Sequence, residues 1–287
     1  MDNNVSKVSE LFGESTKEIS KTTIKKLLNE QICPYKGNRC FKVRKSEPEI
    51  SIGTCTVKYG KQSKDIIICP NRLLQKKQVF IDCVHLLTKH EPGNEFHLVS
   101  EISVPGGSID YIIVSAKNGK VKDFVGIEFQ TLDTTGTVWP ERQRLLNKLG
   151  IDVDKIVIDS KKPFGMNWKM TAKTILVQLH HKIETFEHIG KHLVLVVQDC
   201  LLEYMQKEFN FSHLSEPSKI GDSMHFHSYL IREENSKYKI ELDKRLSTDS
   251  EGMAICLGLQ AEAKVELEEI LKNIESKLSD DTLLSIV

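Results

Sequence analysis

The chain has 287 residues, 39% of them apolar and 28% charged, and its 40 basic and 40 acidic side chains balance to a formal charge of zero. That length allows one large domain or a core with an attached module, and the composition is that of a soluble globular protein. No apolar run approaches the roughly 20 residues that span a bilayer. The opening MetAspAsnAsnValSerLys has no signal-peptide pattern, so a cytoplasmic protein with no membrane partner is expected. Seven cysteines, an odd number, fit a reducing compartment better than a disulfide scaffold.

In chain order, residues 16–32 place Ile19, Ile24, Leu27 and Leu28 at roughly helical spacing among lysines, which predicts a short amphipathic helix. Cys33, Cys40, Cys55 and Cys69 follow in a C-x6-C-x14-C-x13-C spacing, among turn formers such as Pro34, Gly37, Asn38, Gly53 and Pro70. Four thiolates make a closed tetrahedral shell suited to structural zinc or a single iron. A metal there would supply folding energy that a turn-rich segment lacks. Buried inert thiols are the plainer alternative, and the C-x2-C pairs that mark zinc ribbons are missing. From Cys33 to Lys77 eleven Lys or Arg stand against three acids, whereas from Tyr229 onward thirteen acids stand against eight bases. The basic segment reads as a polyanion surface, or more simply as a solvated face.

Residues 78–89 fit a helix or a buried strand, with the helix preferred, and His85 and His90 there read as surface or core residues. A strand is predicted at 97–104, carrying Glu101 and ending at Pro105-Gly106-Gly107. Two apolar runs around Asn118-Gly119 predict an antiparallel hairpin, which sets Asp110 beside Glu128. Strand alternation turns Glu128 and Gln130 to the face opposite Ile127 and Phe129. Two carboxylates about 4 Å apart repel by roughly 4 kcal/mol at an effective dielectric near 20. A divalent cation removes that penalty, and a solvated strand face is the alternative.

Helices are predicted over 137–149, with Pro140 in the first turn, and from 171 to about 187, followed by a buried strand at 192–198. Capping residues at 247–251 precede a long predicted helix to about residue 278, whose apolar positions read as core or dimer packing. His180-His181 and the pair His225 and His227 show no acid or cysteine partner at ligand spacing. The order of elements implies an α/β fold, a mixed sheet flanked by helices, with a small four-cysteine metal-binding module. The expected divisions are a helical segment at 1–32, the basic module at 33–77, a core at 78–228 and a helical segment at 229–287 that is a candidate for dimerisation.

An acid opening one hairpin strand, an acid-x-polar triplet on the next and a following helix resemble the PD-(D/E)xK nuclease core, with Gln130 where that superfamily usually has Lys. With GluGlnIleCysPro, IleGlyThrCysThrVal and IleIleIleCysProAsnArgLeu upstream, the chain resembles the NotI-type restriction endonucleases over about residues 30–210. AsnTrpLysMet at 167–170 and LeuValLeuValValGlnAsp at 193–199 add to that likeness. The resemblance implies that Asp110 and Glu128 hold Mg2+, that Gln130 positions the attacking water, and that Glu101 matches a further acidic position. It also implies that Cys33, Cys40, Cys55 and Cys69 bind one structural iron, zinc being the alternative.

The implied activity is Mg2+-dependent, site-specific cleavage of double-stranded DNA, at a palindromic site read by a homodimer and protected by a companion DNA methyltransferase. Rival readings are a nuclease acting on modified or branched DNA, and a non-catalytic DNA-binding regulator built on the cysteine module. Gln cannot supply the charge of the missing Lys, and Lys169 or Lys173 on the following helix are candidates for it. Arg39, Arg44 and Arg72 are candidates for base readout or, more often, phosphate contact.

Overall fold

The computed structural model describes residues 6–158, 163–259, 271–272 and 274–277. The chain opens with β1 (Val8–Leu11) and β2 (Glu14–Ser15), then α1 (Lys21–Glu30), whose N-cap Ser20 accepts the Thr23 N–H at 3.1 Å. The cysteine segment contributes β3 (Val43–Arg44), β4 (Glu47–Ser51), β5 (Thr54–Tyr59) and β6 (Lys64–Ile67). Strands β2, β1, β5 and β6, in that order, form a four-stranded sheet, so residues before the first cysteine pair with residues after the second. Residues 70–77 coil as a 3-10 turn into α2 (Gln78–Ile81), a shorter helix than the 78–89 span predicted for it.

A six-stranded mixed sheet follows. Its order is β14-β13-β12-β9-β8-β7, built from β7 (Glu95–Val104), β8 (Gly107–Lys117), β9 (Lys120–Gln130), β12 (His192–Gln198), β13 (Met224–Glu234) and β14 (Lys237–Thr248). The predicted hairpin is present as β8 and β9. Asn118 and Gly119, at φ +53° and +72°, hold the left-handed conformations that a tight two-residue connection requires. Strand β9 runs antiparallel to β8 and parallel to β12, which makes it a central strand. Its Gly126 has no room for a side chain, because a Cβ there would stand 2.7 Å from the Phe186 ring.

Between β9 and β12 lie the short pair β10 (Thr134–Thr135) and β11 (Gly165–Met166), with α3 (Trp139–Lys148), α4 (Lys155–Ile158) and α5 (Trp168–His188). Helix α5 presents Ile175, Leu176, Leu179, Ile183 and Phe186 to one face of the sheet, joined in that core by Leu193, Leu195 and Val197 of β12. The opposite face carries Ile127, Phe129, Val194 and Val196, covered by Leu73, Leu74, Val79, Phe80 and Leu86. The end of the cysteine segment is therefore part of the sheet's second layer. Gln198, at the end of β12, ties the two sheets together: it accepts the Ile67 N–H at 2.8 Å and donates to the Asp65 carbonyl at 2.7 Å.

Helix α6 (Asp199–Glu208) leads to the β13–β14 hairpin, where the sequence pattern had placed the start of a helical segment. After β14, Asp249 caps α7 (Ser250–Cys256) by accepting the Gly252 N–H at 2.8 Å. Met253 and Cys256 are buried in the α5-side core. Residues 260–270 and 278–287, the first of which form the middle of the long predicted C-terminal helix, lie outside the described residues. No helix among the described residues is long and apolar enough to cross a membrane.

Candidate active site

The β8–β9 ladder runs as far as Tyr111 opposite Ile127, and the next step brings Asp110 opposite Glu128. At that step the Asp110 carboxylate takes over the ladder: its Oδ2 accepts the backbone N–H of Phe129 at 2.8 Å. On the other side of β8, Ser100 faces Tyr111 and Ile102 faces Ile109, so Glu101 falls opposite Asp110. Three acids therefore occupy one row across β7, β8 and β9. Glu101 is exposed and its φ of +58° marks a local irregularity, whereas Asp110 is half-buried and Glu128 is only 5% exposed.

Gln130 shares the strand with Glu128 two residues on, half-buried, and its Nε2 donates to the Thr131 carbonyl at 2.6 Å. The cation that the triplet lacks comes from elsewhere. Lys182 of α5 places its Nζ 2.5 Å from Glu128 Oε1 and 2.7 Å from the Ser108 carbonyl oxygen. Lys169 and Lys173, the helix lysines considered from sequence, are both exposed. Lys182 did leave a signal: it sits in the stripe Ile175, Leu179, Lys182, Ile183, Phe186, at a position where helical periodicity calls for an apolar residue.

Burial pushes the Glu128 carboxyl up to about 7, a rise opposed by the hydrogen bond from Lys182 and reinforced by the Asp110 charge. The adjacent ammonium opposes burial and favours the charged form of this carboxyl. Two neighbouring carboxylates, one half-open to solvent, are the donor set that Mg2+ takes together with substrate phosphate. When bound, such an ion would supply charge stabilisation and an acidified water.

All four cysteines of the upstream segment are free and buried. The Cys55 thiol beside it lowers the Cys69 thiol to about 6, and Cys69 together with burial pushes Cys55 up. Cys40 feels the charges of Cys69 and Cys33, although burial is the main reason that its thiol is raised. Among the described residues no group of three or more His, Cys, Asp or Glu side chains is arranged to hold a metal ion. The donors are thus of the right chemistry, four buried thiols with one inclined to ionise, without a closed shell around a centre.

The basic residues of the segment divide by role. Arg72 cannot read bases: it is fully buried, with Nε 2.9 and 2.8 Å from the two Glu10 carboxylate oxygens, and its guanidinium lies 5.3 Å from the Tyr35 ring. Arg39 is exposed but donates to the Pro48 and Glu49 carbonyls, and Arg44 pairs with Glu47 while stacking 4.8 Å from the Trp139 ring. A groove of about 840 Å³ runs between residues 42–46 and residues 132–139, lined by Lys42, Arg44, Lys45, Asp133 and Trp139. It begins two residues beyond Gln130. Lys36 of the same segment lies 5.0 Å from the ring of Tyr111, next to Asp110.

The histidines of β13 meet partners distant in sequence: Cys83 Sγ lies 3.5 Å from His227 Nδ1, and His225 Nε2 lies 3.2 Å from His192 Nδ1, without a group of three or more that could hold a metal among the described residues. Both His225 and His227 are fully buried on β13, away from the acidic row.

No curated protein sequence matches this chain. The family model described as restriction endonuclease NotI matches residues 18–234, a span that takes in the four cysteines, the acidic row, Gln130 and Lys182. A match over that much of the chain, on a mixed sheet that sets Asp110 beside Glu128, places this protein in the NotI restriction endonuclease family.

Proposed function

We propose that the chain is a type II restriction endonuclease that hydrolyses phosphodiester bonds of double-stranded DNA in a Mg2+-dependent reaction at a specific, palindromic site. The observation that carries this reading is the pairing of Asp110 with Glu128 on adjacent strands inside a NotI family match. Asp110 and Glu128 are the residues that would hold Mg2+, and Gln130, with an amide able both to donate and to accept, orients the attacking water. Glu101, in the same row and open to solvent, would contact the ion through water or reach it once DNA is in place.

The groove beside residues 42–46 supports a path for the DNA backbone, since it is bordered by Lys42, Arg44 and Lys45 and starts where the active strand ends. Cys33, Cys40, Cys55 and Cys69 are proposed to hold one structural iron or zinc, which would fix these basic loops against the sheet. A two-fold dimer presenting one active site to each strand fits a palindromic target, with a companion methyltransferase protecting host DNA.

The test is a digest of unmethylated genomic and phage DNA with the purified protein, in Mg2+ or in EDTA. Discrete bands that appear only with Mg2+ are expected, and their ends give the site. DNA left intact but still bound in EDTA would favour a non-catalytic regulator, and a structureless smear would favour a less selective nuclease.

A further inference from the structure

We propose that Lys182, reaching the site from the middle of α5, is the catalytic cation of this endonuclease, standing in for the lysine that Gln130 displaces from the acid-x-polar triplet. The inference rests on the nuclease reading above. Three independent features of the structure converge on this side chain.

The first is its geometry. Lys182 Nζ touches the Glu128 carboxylate at 2.5 Å and the Ser108 carbonyl at 2.7 Å. A lysine ammonium has three N–H bonds, so two are engaged and one remains for a water or a phosphate oxygen. The ammonium is thereby held directly against the carboxylate that is proposed to meet the ion.

The second is the cradle around it. The turn Pro105-Gly106-Gly107, which joins β7 to β8, has its two glycines at φ +89° and +138°, and both face α5. A Cβ at Gly106 would stand 2.6 Å from the His181 carbonyl oxygen, and one at Gly107 would stand 3.3 Å from Lys182 Cε. The turn is thus cut away where the helix backbone and the lysine stem pass over it. The cradle leads the ammonium to the end of β8 at which the acidic row begins.

The third is the choice of residue. The flanking helix positions Leu179, Ile183 and Phe186 are fully buried and apolar, and Lys182 itself is only 6% exposed. A buried ion pair is a weak way to stabilise a fold, and a leucine at 182 with a neutral residue at 128 would pack the same space more simply. The pair is accounted for when both members act on substrate. Gln130 contributes no positive charge, and Lys169 and Lys173 lie on the exposed side of α5. In the reaction proposed for this site, water adds to the scissile phosphorus and gives its proton to solvent as the bond to the leaving oxygen breaks; the leaving oxygen departs with the bonding pair and takes a proton from solvent, and negative charge grows on the phosphoryl oxygens in between. The Lys182 ammonium stabilises that charge without transferring its own proton.

The experiment uses the full-length protein and a duplex carrying its mapped site. Single-turnover cleavage in Mg2+ is measured for wild type, Lys182→Met, Lys182→Gln and Lys182→Arg, with duplex affinity in Ca2+ and the thermal midpoint measured alongside. Met keeps the aliphatic packing, Gln keeps donors for Glu128 and Ser108 without charge, and Arg keeps the charge. Met and Gln are expected to cleave about 100-fold or more slowly, the scale seen when a donor to developing charge is removed, with affinity within about threefold of wild type. Arg is expected to recover part of the rate. A folded Met or Gln variant that cleaves within fivefold of wild type overturns the inference alone, and so does loss confined to affinity. A wild-type protein that leaves all DNA intact in Mg2+ overturns the endonuclease reading and this inference together.

Discussion

Asp110 does two things at once, and they separate by substitution. One carboxylate oxygen accepts the Phe129 N–H and so finishes a β-ladder; the charge itself faces Glu128. Asp110→Asn keeps an acceptor for Phe129 but removes the charge. It is expected to fold with a thermal midpoint within a few degrees of wild type, to bind duplex in Ca2+, and to cleave at least about 100-fold more slowly. Cleavage at the wild-type rate would remove Asp110 from the site. Arg72 shows the opposite kind of buried charge. It is enclosed with Glu10, which also accepts from Thr56, and burial pushes the Glu10 carboxyl up despite the guanidinium beside it. Removing one partner strands the other, so Arg72→Met is expected to cost about 3–5 kcal/mol of unfolding free energy, read from urea titration. A loss under 1 kcal/mol would mean that water reaches Glu10 and relieves it.

At the scale of elements, the Pro105-Gly106-Gly107 turn and helix α5 are fitted to each other at backbone level. Gly106→Ala forces a Cβ against the His181 carbonyl at a φ that L-residues rarely adopt. The expected cost is about 1–3 kcal/mol, with a fall in cleavage rate as α5 and Lys182 shift. A variant as stable and active as wild type would show that the turn gives way freely. The same elements mark where the sequence was readable. The β8–β9 hairpin, α3, α5 and β12 could be placed because Asn118-Gly119, Pro140 and unbroken apolar periodicity act over a few residues. The hairpin signal set Asp110 beside Glu128, strand alternation put Glu128 and Gln130 on one face, and the roles proposed for them came from the family resemblance. Lys182 was not found, because its partner is 54 positions away and only the packing of α5 on β9 joins them. The β13–β14 hairpin was missed for a related reason. Its buried His225, Ser228 and Tyr229 interrupt the apolar pattern, and its exposed outer half is rich in Lys and Glu, as a helix surface would be. Arg72 was counted with the DNA-facing bases because composition does not distinguish a guanidinium in solvent from one enclosed with Glu10.

For the whole molecule, acidification tests how the main sheet is held together. His225 and His227 are locked in β13 between β12 and β14, and neither His225 Nδ1 nor His227 Nε2 has a hydrogen-bond partner. Burial pulls the His225 imidazole down to about 3, helped by the charges of His192 and His85. Burial also pulls His227 well below its ordinary value, with Arg245, His225 and His85 acting in the same direction. Both are therefore neutral in the folded chain, while in the unfolded chain they titrate near 6.5. The unfolded state binds the additional protons, so the stability that these groups contribute is complete above about pH 6.5. It is lost as pH falls toward the folded values, at up to about 1.4 kcal/mol per pH unit for each group. The comparison is between wild type and His227→Phe, which fills the same slot without a titrating group, because the raised Glu128 carboxyl takes up a proton in the folded chain over the same range and acts in the opposite sense in both proteins. The difference in their denaturant midpoints, measured from pH 7.5 down to 5, should stay level to about 6.5 and then move against wild type. A difference that holds steady to pH 5 would mean that the His227 imidazole becomes charged inside the folded sheet. The space around β13 would then have to be open to water, which is incompatible with the packing of β12, β13 and β14 described above.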